Sequence, residues 1–305
     1  MTESKVFMKQ TCNKCDGKAV FYRKYSGERL CKQCFSNSII QKTARAISKY
    51  KMIKRCDNVA VAVSGGKDSL ALLYVLNKIS EKFEFNIEAI TIDEGIKGYR
   101  EESLQIACNF CKQLHIKHHV YSYKKIFKLT LDDALDLRTA KISSCSICGI
   151  LRRRAMDIAA KEIGYNIIAT GHNLDDLIQT FMINMISGDT KKISTMYPGS
   201  TNKIKPFSEI YESEIVFFAY INKIPFQSEP CSHMYEGIRT QIREFVNMLE
   251  QKHSGVKNNL LSSILKLTNT KNSYRNEKKS CMRCGNICTN NICSVCNMIS
   301  NIKKS

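Results

Sequence analysis

Short apolar runs alternate with helix-like stretches between residues 58 and 190 of the chain. A compact β-branched run predicts a buried strand, whereas apolar residues that recur every three to four positions predict a helix. In chain order the predicted elements are strand 58–63, helix 69–81, strand 86–92, helix 100–114, strand 117–122, helix 149–163, strand 166–170 and helix 174–187. This alternation predicts an α/β fold, in which helices cover both faces of a parallel sheet and ligands bind at the carboxyl ends of its strands.

A glycine-containing hexapeptide, SGGKDS at residues 64–69, directly follows the first predicted strand and leads into the first predicted helix. Its two glycines allow the backbone to approach an anion, and the helix start offers unpaired N–H groups. Lys67 adds a positive charge, and the two serines add hydroxyl donors. The spacing is not that of a Walker-type loop. SGGxDS is instead the pyrophosphate loop of enzymes that cleave ATP between its α- and β-phosphates. The alternative is a serine-rich turn.

Acidic residues lie at two further predicted strand ends. Asp93 directly follows the strand over 86–92, and the sequence GHNLDD at residues 171–176 follows the strand over 166–170. Carboxylates at such positions can hold Mg²⁺ against phosphates or act as a general base. The alternative for the second motif, compatible with the first role, is that Asn173 or Asp175 caps the next helix. Three motifs at one edge of the sheet predict a single site.

Fifteen cysteines occur in the chain, and eight of them form paired C-x-x-C motifs near its two ends. The N-terminal set comprises Cys12, Cys15, Cys31 and Cys34, and the C-terminal set comprises Cys281, Cys284, Cys293 and Cys296. Four thiolates at this spacing are typical of a tetrahedral structural zinc site. We therefore expect one Zn²⁺ in each set.

The sequence predicts an order of units along the chain. Residues 37–56 have a helical period with a positive face, residues 208–222 and 237–268 are mainly helical in pattern, and residues 269–280 are polar. The predicted units are an N-terminal zinc finger (1–36), a linking helix (37–57), a catalytic domain (58–268), a linker (269–280) and a C-terminal zinc ribbon (281–305). The chain start lacks the apolar stretch of a signal peptide, and no run approaches the ~20 apolar residues of a membrane span. We expect a cytoplasmic protein without membrane association.

A third cysteine group lies inside the predicted catalytic domain. Cys145 and Cys148 directly precede the predicted helix over 149–163, and Cys231 follows much later in the chain. Such a pair can be a redox dithiol, part of a zinc site completed by His233, or part of an iron–sulfur cluster. Three thiolates would leave one iron of a [4Fe-4S] cluster without a protein ligand, so that this iron could hold sulfide or substrate.

The remaining cysteines have simpler interpretations. Cys108 and Cys111 lie one helical turn apart among apolar residues, a pattern that favours core packing over ligation. Cys56 is expected to end the linking helix with no partner nearby.

The chain is strongly basic, with 47 Lys and Arg against 28 Asp and Glu and a formal net charge of +19. Metal-bound thiolates would lower the charge to roughly +14, which still favours a polyanionic partner such as nucleic acid. Candidate phosphate contacts are Arg152 and Arg153 beside the third cysteine group, and Arg239 and Arg243 one helical turn apart. The alternatives are a compositional bias towards lysine and an ordinary solvated helix face.

Taken together, these motifs resemble the tRNA 2-thiolation family, which comprises the TtuA-type and wobble-uridine 2-thiouridine synthetases of the PP-loop ATP pyrophosphatase superfamily. The resemblance rests on SGGKDS, TIDEGI, CSICGxxRR, ATGHNLDD, a late EPC cysteine and the two flanking cysteine motifs. It covers nearly the whole chain. One departure is Cys34, where some relatives use histidine, and zinc accepts either ligand.

The resemblance implies a Rossmann-like PP-loop fold with terminal zinc fingers and assigns roles to particular residues. ATP would contact Ala62, Ser64, Gly65, Gly66, Lys67, Asp68, Ser69, Ile92 and Gly171, with Asp93 nearby. Cys145, Cys148 and Cys231 would carry an oxygen-sensitive [4Fe-4S] cluster. Asp175 and Asp176 correspond to an acidic pair near the reacting centre.

The implied activity is an ATP-dependent tRNA sulfurtransferase. ATP would adenylate the C2 carbonyl oxygen of a uridine, with Lys67, Mg²⁺ and the loop amides stabilising the leaving group. Sulfide would then replace the activated oxygen. The mesophile-like content of cysteine and asparagine favours wobble position 34 over position 54. The expected partners are tRNA, a sulfur donor that is either a ubiquitin-like carrier thiocarboxylate or free sulfide, and a second copy in a homodimer. The alternatives are persulfide-based thiolation, and an RNA-binding protein with a vestigial ATP site.

Overall fold

The computed structural model describes residues 11–137, 143–199, 202–229, 231, 238–268, 279–288 and 290–303. The strands are β1 (Phe21–Arg23), β2 (Glu28–Leu30), β3 (Asn58–Ala62), β4 (Asn86–Asp93), β5 (His118–Ser122), β6 (Ile167–Ala169), β7 (Lys203–Ile204), β8 (Lys279–Ser280) and β9 (Ile287–Cys288). The helices are α1 (Lys32–Lys49), α2 (Lys67–Phe83), α3 (Arg100–Gln113), α4 (Tyr123–Phe127), α5 (Leu131–Asp136), α6 (Ser144–Glu162), α7 (Leu174–Ile186), α8 (Thr190–Ser194), α9 (Glu212–Ile221), α10 (Arg239–Lys252), α11 (Val256–Thr268) and α12 (Ser294–Lys303).

Five parallel strands form the central sheet in the order β5-β4-β3-β6-β7. Strand β3 lies in the middle, with Val61 opposite Ala89 of β4 on one side and opposite Ala169 of β6 on the other. The chain builds the sheet outward from β3 in one direction and then returns to its other side. The order therefore reverses between β3 and β6, where a crevice opens at the carboxyl ends of the strands.

Helices cover both faces of the sheet, as the sequence pattern predicted. Side chains alternate along β3, so Val59 and Val61 enter one apolar core while Ala60 enters the other. The first core is shared with α1, α2 and α9, and the second with α6. Burial of the strand on both faces explains why its sequence reads as an unbroken apolar run.

The terminal cysteine units pack against this α/β body. Arg23 on β1 forms a buried ion pair with Glu214 on α9, with Nε 2.7 Å from Oε1, and Lys42 also contacts Glu214. At the other end, Cys281 and Cys293 belong to the same apolar cluster as α6. The predicted linker over 269–280 falls largely outside the described residues.

Several predicted helix boundaries were wrong. The linking helix, expected from residue 37, begins at Lys32. The helical stretch expected over 237–268 is divided into α10 and α11. The helix expected over 149–163 begins at Ser144, because the Ser143 hydroxyl accepts a hydrogen bond from the Ser146 amide and caps the first turn. The linking helix ends at Lys49, so Cys56 lies in an exposed turn with φ 64° and does not end a helix. The other predicted helices and strands of the sheet region match the structure within about two residues.

Candidate active site

The phosphate loop connects β3 to α2 at the reversal of strand order. Gly65 has φ +85°, and a Cβ there would lie 2.5 Å from the Ser103 carbonyl oxygen. The Ser69 hydroxyl accepts a hydrogen bond from the Ser64 amide and donates one to the Gly66 carbonyl. The loop is therefore held by its own side chains, and the N-terminus of α2 faces the crevice as a potential anion site.

Lys67 sits among carboxylates at the start of α2. Its Nζ lies 2.9 Å from Asp68 Oδ2 and 3.0 Å from Glu212 Oε1, and Glu212 also contacts Arg243. Burial raises the pKa of Asp68, although Lys67 opposes that shift. These charges could bind the phosphates and the magnesium ion of a nucleotide.

The strand end before α7 packs directly against the phosphate loop. A Cβ on Gly171 would lie 2.8 Å from the Asp68 carbonyl carbon, and the Asn173 amide donates a 3.1 Å hydrogen bond to Asp68 Oδ1. Asn173 also caps α7 in a reciprocal arrangement with Asp176. Burial raises the pKa of Asp176. The capping role expected as an alternative is thus present, and Asp176 lies at the same edge as the loop.

Asp175 has different surroundings from its neighbour. Its side chain is 4% exposed and forms an ion pair with Lys257 of α11. Its other carboxylate oxygen accepts a 2.8 Å hydrogen bond from the Glu212 amide. Both oxygens therefore hold protein groups where α7, α9 and α11 meet, and Asp175 also lines the cleft that contains Lys67. A role for Asp175 at the reacting centre stays a prediction.

The residues expected near the nucleotide base lie at the same edge. Ile92 is buried and its carbonyl accepts a hydrogen bond from the Arg100 guanidinium, while Ala62 is half-buried at the end of β3. Asp93 ends β4, where its Oδ1 accepts a 2.9 Å hydrogen bond from the Gly95 amide. One oxygen of Asp93 is therefore used to shape the turn that follows.

The third cysteine group is divided between α6 and the segment that joins α9 to α10. Cys145 and Cys148 lie within the first turns of α6, a correction to their expected place before the helix. Cys231 packs against the same apolar cluster that contains Cys148. His233 lies outside the described residues, so the structure does not describe the proposed fourth zinc ligand.

Cys148 is buried in a polar setting. The Tyr123 hydroxyl donates a 2.9 Å hydrogen bond to the Cys148 carbonyl, and Arg152 Nη2 lies 3.2 Å from Cys148 Sγ. Burial raises the pKa of the Cys148 thiol, and the Arg152 guanidinium opposes this effect. A cation beside the sulfur favours its thiolate form, which is the form that binds metal.

The three cysteines offer a donor set that suits an iron–sulfur cluster. The terminal sets each bring four sulfur atoms within 4.8 Å of one another, whereas Cys145, Cys148 and Cys231 form no such compact group among the described residues. A [4Fe-4S] cluster is held by cysteine thiolates, each at a different iron. Cluster ligation by these three residues stays a prediction.

Each terminal set of four cysteines could hold a metal ion. Both sets, Cys12, Cys15, Cys31 and Cys34, and Cys281, Cys284, Cys293 and Cys296, have the compact geometry described above. Backbone donors, the Cys293 amide foremost, lower the pKa of Cys281 to about 6. Cys288 is not part of the set, and its sulfur faces the Asn290 carbonyl. Cys111 is buried in the core, as its helical position predicted.

The arginines predicted to contact RNA divide into two groups. Arg152 forms an ion pair with Glu94, with Nε 2.7 Å from Oε1, while its side chain is 46% exposed. Its expected contact with RNA stays a prediction. Arg153 is exposed. Arg239 donates to Gln179 and Thr180, and Arg243 pairs with Glu212 at the edge of the crevice.

One open cleft of about 1090 Å³ extends from the phosphate loop to Cys231. Its lining side chains include Lys24, Lys67, Asp68, Tyr99, Asp175, Cys231 and Arg243. Groups bound at the loop and beside Cys231 would therefore share one space.

Sequence reasoning missed several residues of this region. Glu94 lies next to Asp93 in the motif TIDEGI, but its sequence position does not mark it as a site residue. Glu212 and Lys257 carry no local signal, because they reach the site only through the packing of α9 and α11. Arg100 and Tyr123 are likewise placed by tertiary contacts.

Comparisons with known proteins agree with this geometry. A PP-loop domain family matches residues 36–250, and the N-terminal LIM domain of the 2-thiouridine synthetase TtuA matches residues 11–36. The cytoplasmic tRNA 2-thiolation protein 1 of Dictyostelium discoideum is 31% identical over 309 residues, covering 99% of this chain and 85% of the relative. A probable sulfurtransferase of Methanocaldococcus jannaschii is 32% identical, covering 95% of this chain and 87% of the relative.

A solved structure supports the same assignment. The U34-tRNA thiolase NcsA from Methanococcus maripaludis, solved with its [4Fe-4S] cluster, superimposes with a TM-score of 0.84 at 29% identity, over 96% of this chain and 97% of that chain. The fold and the phosphate loop define a protein of the PP-loop class. Within that class, the chain belongs to the tRNA 2-thiolation family. The family resemblance drawn from the motifs is confirmed.

A search of the described helices found none with the length and apolar character needed to cross a membrane.

Proposed function

We propose that this protein is a cytoplasmic, ATP-dependent tRNA-uridine 2-sulfurtransferase that acts on the wobble uridine at position 34. The single observation that carries the proposal is that Lys67 of the phosphate loop and Cys231 of the third cysteine group line one cleft. The thiolase from Methanococcus maripaludis supports both the cluster and the position of the uridine, since its name specifies U34 and its structure holds a [4Fe-4S] cluster.

The first chemical step is activation of a poor leaving group. The uridine C2 oxygen attacks the α-phosphorus of ATP, the α–β bond breaks, and pyrophosphate leaves. The amides of residues 64–69 and the Lys67 ammonium stabilise charge on the phosphates. The carboxylates proposed to hold Mg²⁺ are Asp68, which also contacts Lys67 and Asn173, and Asp176, which also caps α7. Glu212 keeps Lys67 at the loop before the nucleotide binds.

The second step replaces oxygen with sulfur. Sulfide adds to C2 of the adenylated uridine, and AMP departs with the former carbonyl oxygen, so no net oxidation or reduction is needed. A [4Fe-4S] cluster on Cys145, Cys148 and Cys231 would supply an iron without a protein ligand on which sulfide can be held. Arg152 and Tyr123 hold Cys148 in place, and Cys148 is buried in an apolar cluster. The sulfur donor is a carrier thiocarboxylate or free sulfide.

Binding of tRNA would use cationic side chains in and near this cleft. Arg153, Arg239 and Arg243 are candidates for phosphate contacts, and Lys24 lines the cleft from the N-terminal unit. Zinc in the two four-cysteine sets would fix the terminal units, which pack against α9 and α6. Such ions contribute to folding and need not take part in the reaction.

The central test compares Lys67→Ala with Lys78→Ala, an exposed lysine on the same helix that pairs only with Glu81 in the structure. Reconstituted protein, ATP and tRNA would be incubated anaerobically, and AMP and 2-thiouridine measured by mass spectrometry. Removing one transition-state cation lowers turnover by about 100- to 1000-fold, so we expect that loss for Lys67→Ala and none for Lys78→Ala. Wild-type turnover of Lys67→Ala contradicts the phosphate-loop assignment. Thiolation by iron-free protein would replace the cluster chemistry with a persulfide route.

A further inference from the structure

Glu94 is a buried carboxylate between the two halves of the site. Its side chain is 3% exposed, yet it follows directly after the strand that carries Ile92 and Asp93. An ionised carboxylate at such a depth is costly unless cations surround it. The cations that contact Glu94 therefore indicate its role.

Two arginines from different helices meet Glu94. Arg100 Nε lies 2.8 Å from Oε2, at ion-pair distance but without hydrogen-bond alignment, and Arg152 Nε lies 2.7 Å from Oε1. Arg100 begins α3, whereas Arg152 lies on α6. Glu94 consequently fixes the two helices to the end of β4 through charge.

Each arginine continues to one half of the site. The Arg100 guanidinium donates to the carbonyl of Ser64 in the phosphate loop at 3.0 Å and to that of Ile92 at 2.7 Å. The Arg152 guanidinium reaches Cys148 Sγ at 3.2 Å. A continuous path of polar contacts thus runs from the phosphate loop, through Glu94, to a cysteine of the third group.

We propose that Glu94 is a positioning residue that holds Arg100 against the phosphate loop and Arg152 against Cys148, so that the two halves of the site keep one fixed separation. The inference rests on the proposed function, because it assumes that nucleotide and sulfur chemistry meet in this cleft. Groups behind a metal ligand orient it and commonly change metal affinity by about 10- to 100-fold when altered. The segment that leads to Cys231 contacts the loop without Glu94, since the backbone amide of Gln227 donates a hydrogen bond to the Gly65 carbonyl. Removing Glu94 should therefore loosen the centre and not abolish it.

The test uses Glu94→Gln, which keeps the side-chain shape and removes the charge. The matched control is Glu88→Gln on β4, the strand that precedes Glu94, since the Glu88 carboxylate pairs with His119 and Lys117 and does not line the cleft. After anaerobic reconstitution, the release of iron to a chelator is followed by absorbance. ATP affinity is measured separately on metal-free protein. We expect iron release about tenfold faster and ATP binding about threefold to tenfold weaker for Glu94→Gln, with both values unchanged for Glu88→Gln.

A double variant distinguishes positioning from a general structural role. If Glu94 acts on Cys148 through Arg152, then Glu94→Gln combined with Arg152→Gln should release iron no faster than Arg152→Gln alone. Additive effects, or values for Glu94→Gln within twofold of wild type, overturn the inference. If Glu94→Gln does not fold, the Arg152→Gln variant tests the inference in its place. This variant should release iron faster than wild type, while its ATP affinity stays unchanged.

Failure of the proposed function has a separate signature. Wild-type protein that takes up no cluster contradicts the sulfur chemistry, and ATP affinity in metal-free Glu94→Gln still decides whether Glu94 supports the loop.

Discussion

At the scale of single residues, adjacent side chains in one motif have separate tasks. Asp175 and Asp176 are consecutive, but Asp175 is buried against Lys257 while Asp176 caps α7 beside the phosphate loop. A helix turns about 100° per residue, so neighbours along it face different groups. Two consecutive aspartates therefore have different roles in the structure.

Asp175→Asn is expected to lower stability and Asp176→Asn is not. Removing one partner of a buried ion pair leaves the Lys257 charge uncompensated and costs about 3–5 kcal/mol. The Asp176→Asn variant keeps an oxygen to accept the cap hydrogen bond, yet loses the charge proposed to hold Mg²⁺. Urea unfolding of both variants, together with tRNA-dependent AMP formation, measures the two effects. A stable Asp175→Asn with normal Lys257 contacts would contradict the assignment.

The pKa of Asp176 leads to a pH prediction of unusual sign. Burial raises this pKa in the folded state, so the ionised carboxylate disfavours folding at neutral pH, and this cost disappears as the pH falls towards the ordinary aspartate value of about 3.9. Asp176→Asn removes that titration. We expect the variant to be at least as stable as wild type at pH 7, with the difference between them shrinking on acidification. Thermal unfolding from pH 7 to pH 4.5 checks this, and a variant that is less stable at pH 7 contradicts it.

At the scale of elements, the periodic pattern predicted the strands of the sheet well because β3 is apolar on both faces and its neighbours alternate with amphipathic helices. It missed β7, whose two residues are too short to carry a period. It also began α6 too late. The stretch SSCSIC has weak helix propensity, and only the Ser143 cap and the packing of Ile147 and Leu151 against the core extend the helix through both cysteines.

The same limit applies to the site. Residues that follow strands were predictable, since parallel strands bring their carboxyl ends to one edge. Glu212 and Lys257 lie on helices far along the chain, and the ion pair that retains Arg152 depends on the buried depth of Glu94. No local pattern encodes those contacts.

Cys145 and Cys148 share a helix, as Cys108 and Cys111 do, so substitutions are needed to distinguish the proposed ligands from core cysteines. Single alanine substitutions at Cys145, Cys148 or Cys231 should each remove the [4Fe-4S] absorbance and the paramagnetic resonance signal after reduction, together with thiolation. Cys108→Ala is the control, because Cys108 is a half-buried cysteine of a C-x-x-C pair on α3 that is not among the proposed ligands. Adenylation of tRNA should persist in all four variants, since it depends on the phosphate loop. Full thiolation by any of the three ligand variants would argue for a persulfide route.

At the scale of the whole molecule, the terminal units complete the body and are not independent attachments. The C-terminal unit shares an apolar cluster with α6, which carries Cys145 and Cys148, and the N-terminal unit joins α9 through Arg23 and Glu214. Metal loss at either end should therefore reach the site through packing. The net charge of +19 acts over the same scale and attracts a polyanion.

Binding of tRNA should weaken steeply as salt rises, because each cation that meets a phosphate releases condensed counterions. Arg153 is exposed, whereas the Arg152 guanidinium is already shared between Glu94 and Cys148. Arg153→Gln should therefore reduce the slope of log affinity against log salt by about one. Arg152→Gln, its neighbour and control, should leave that slope unchanged while reducing thiolation. Filter binding on metal-loaded protein measures both slopes. The salt concentration is varied over about sixfold, from about 50 to about 300 mM, which spans the steep region. A change in slope for Arg152→Gln would show that this arginine contacts RNA phosphate and would contradict its proposed role beside Cys148.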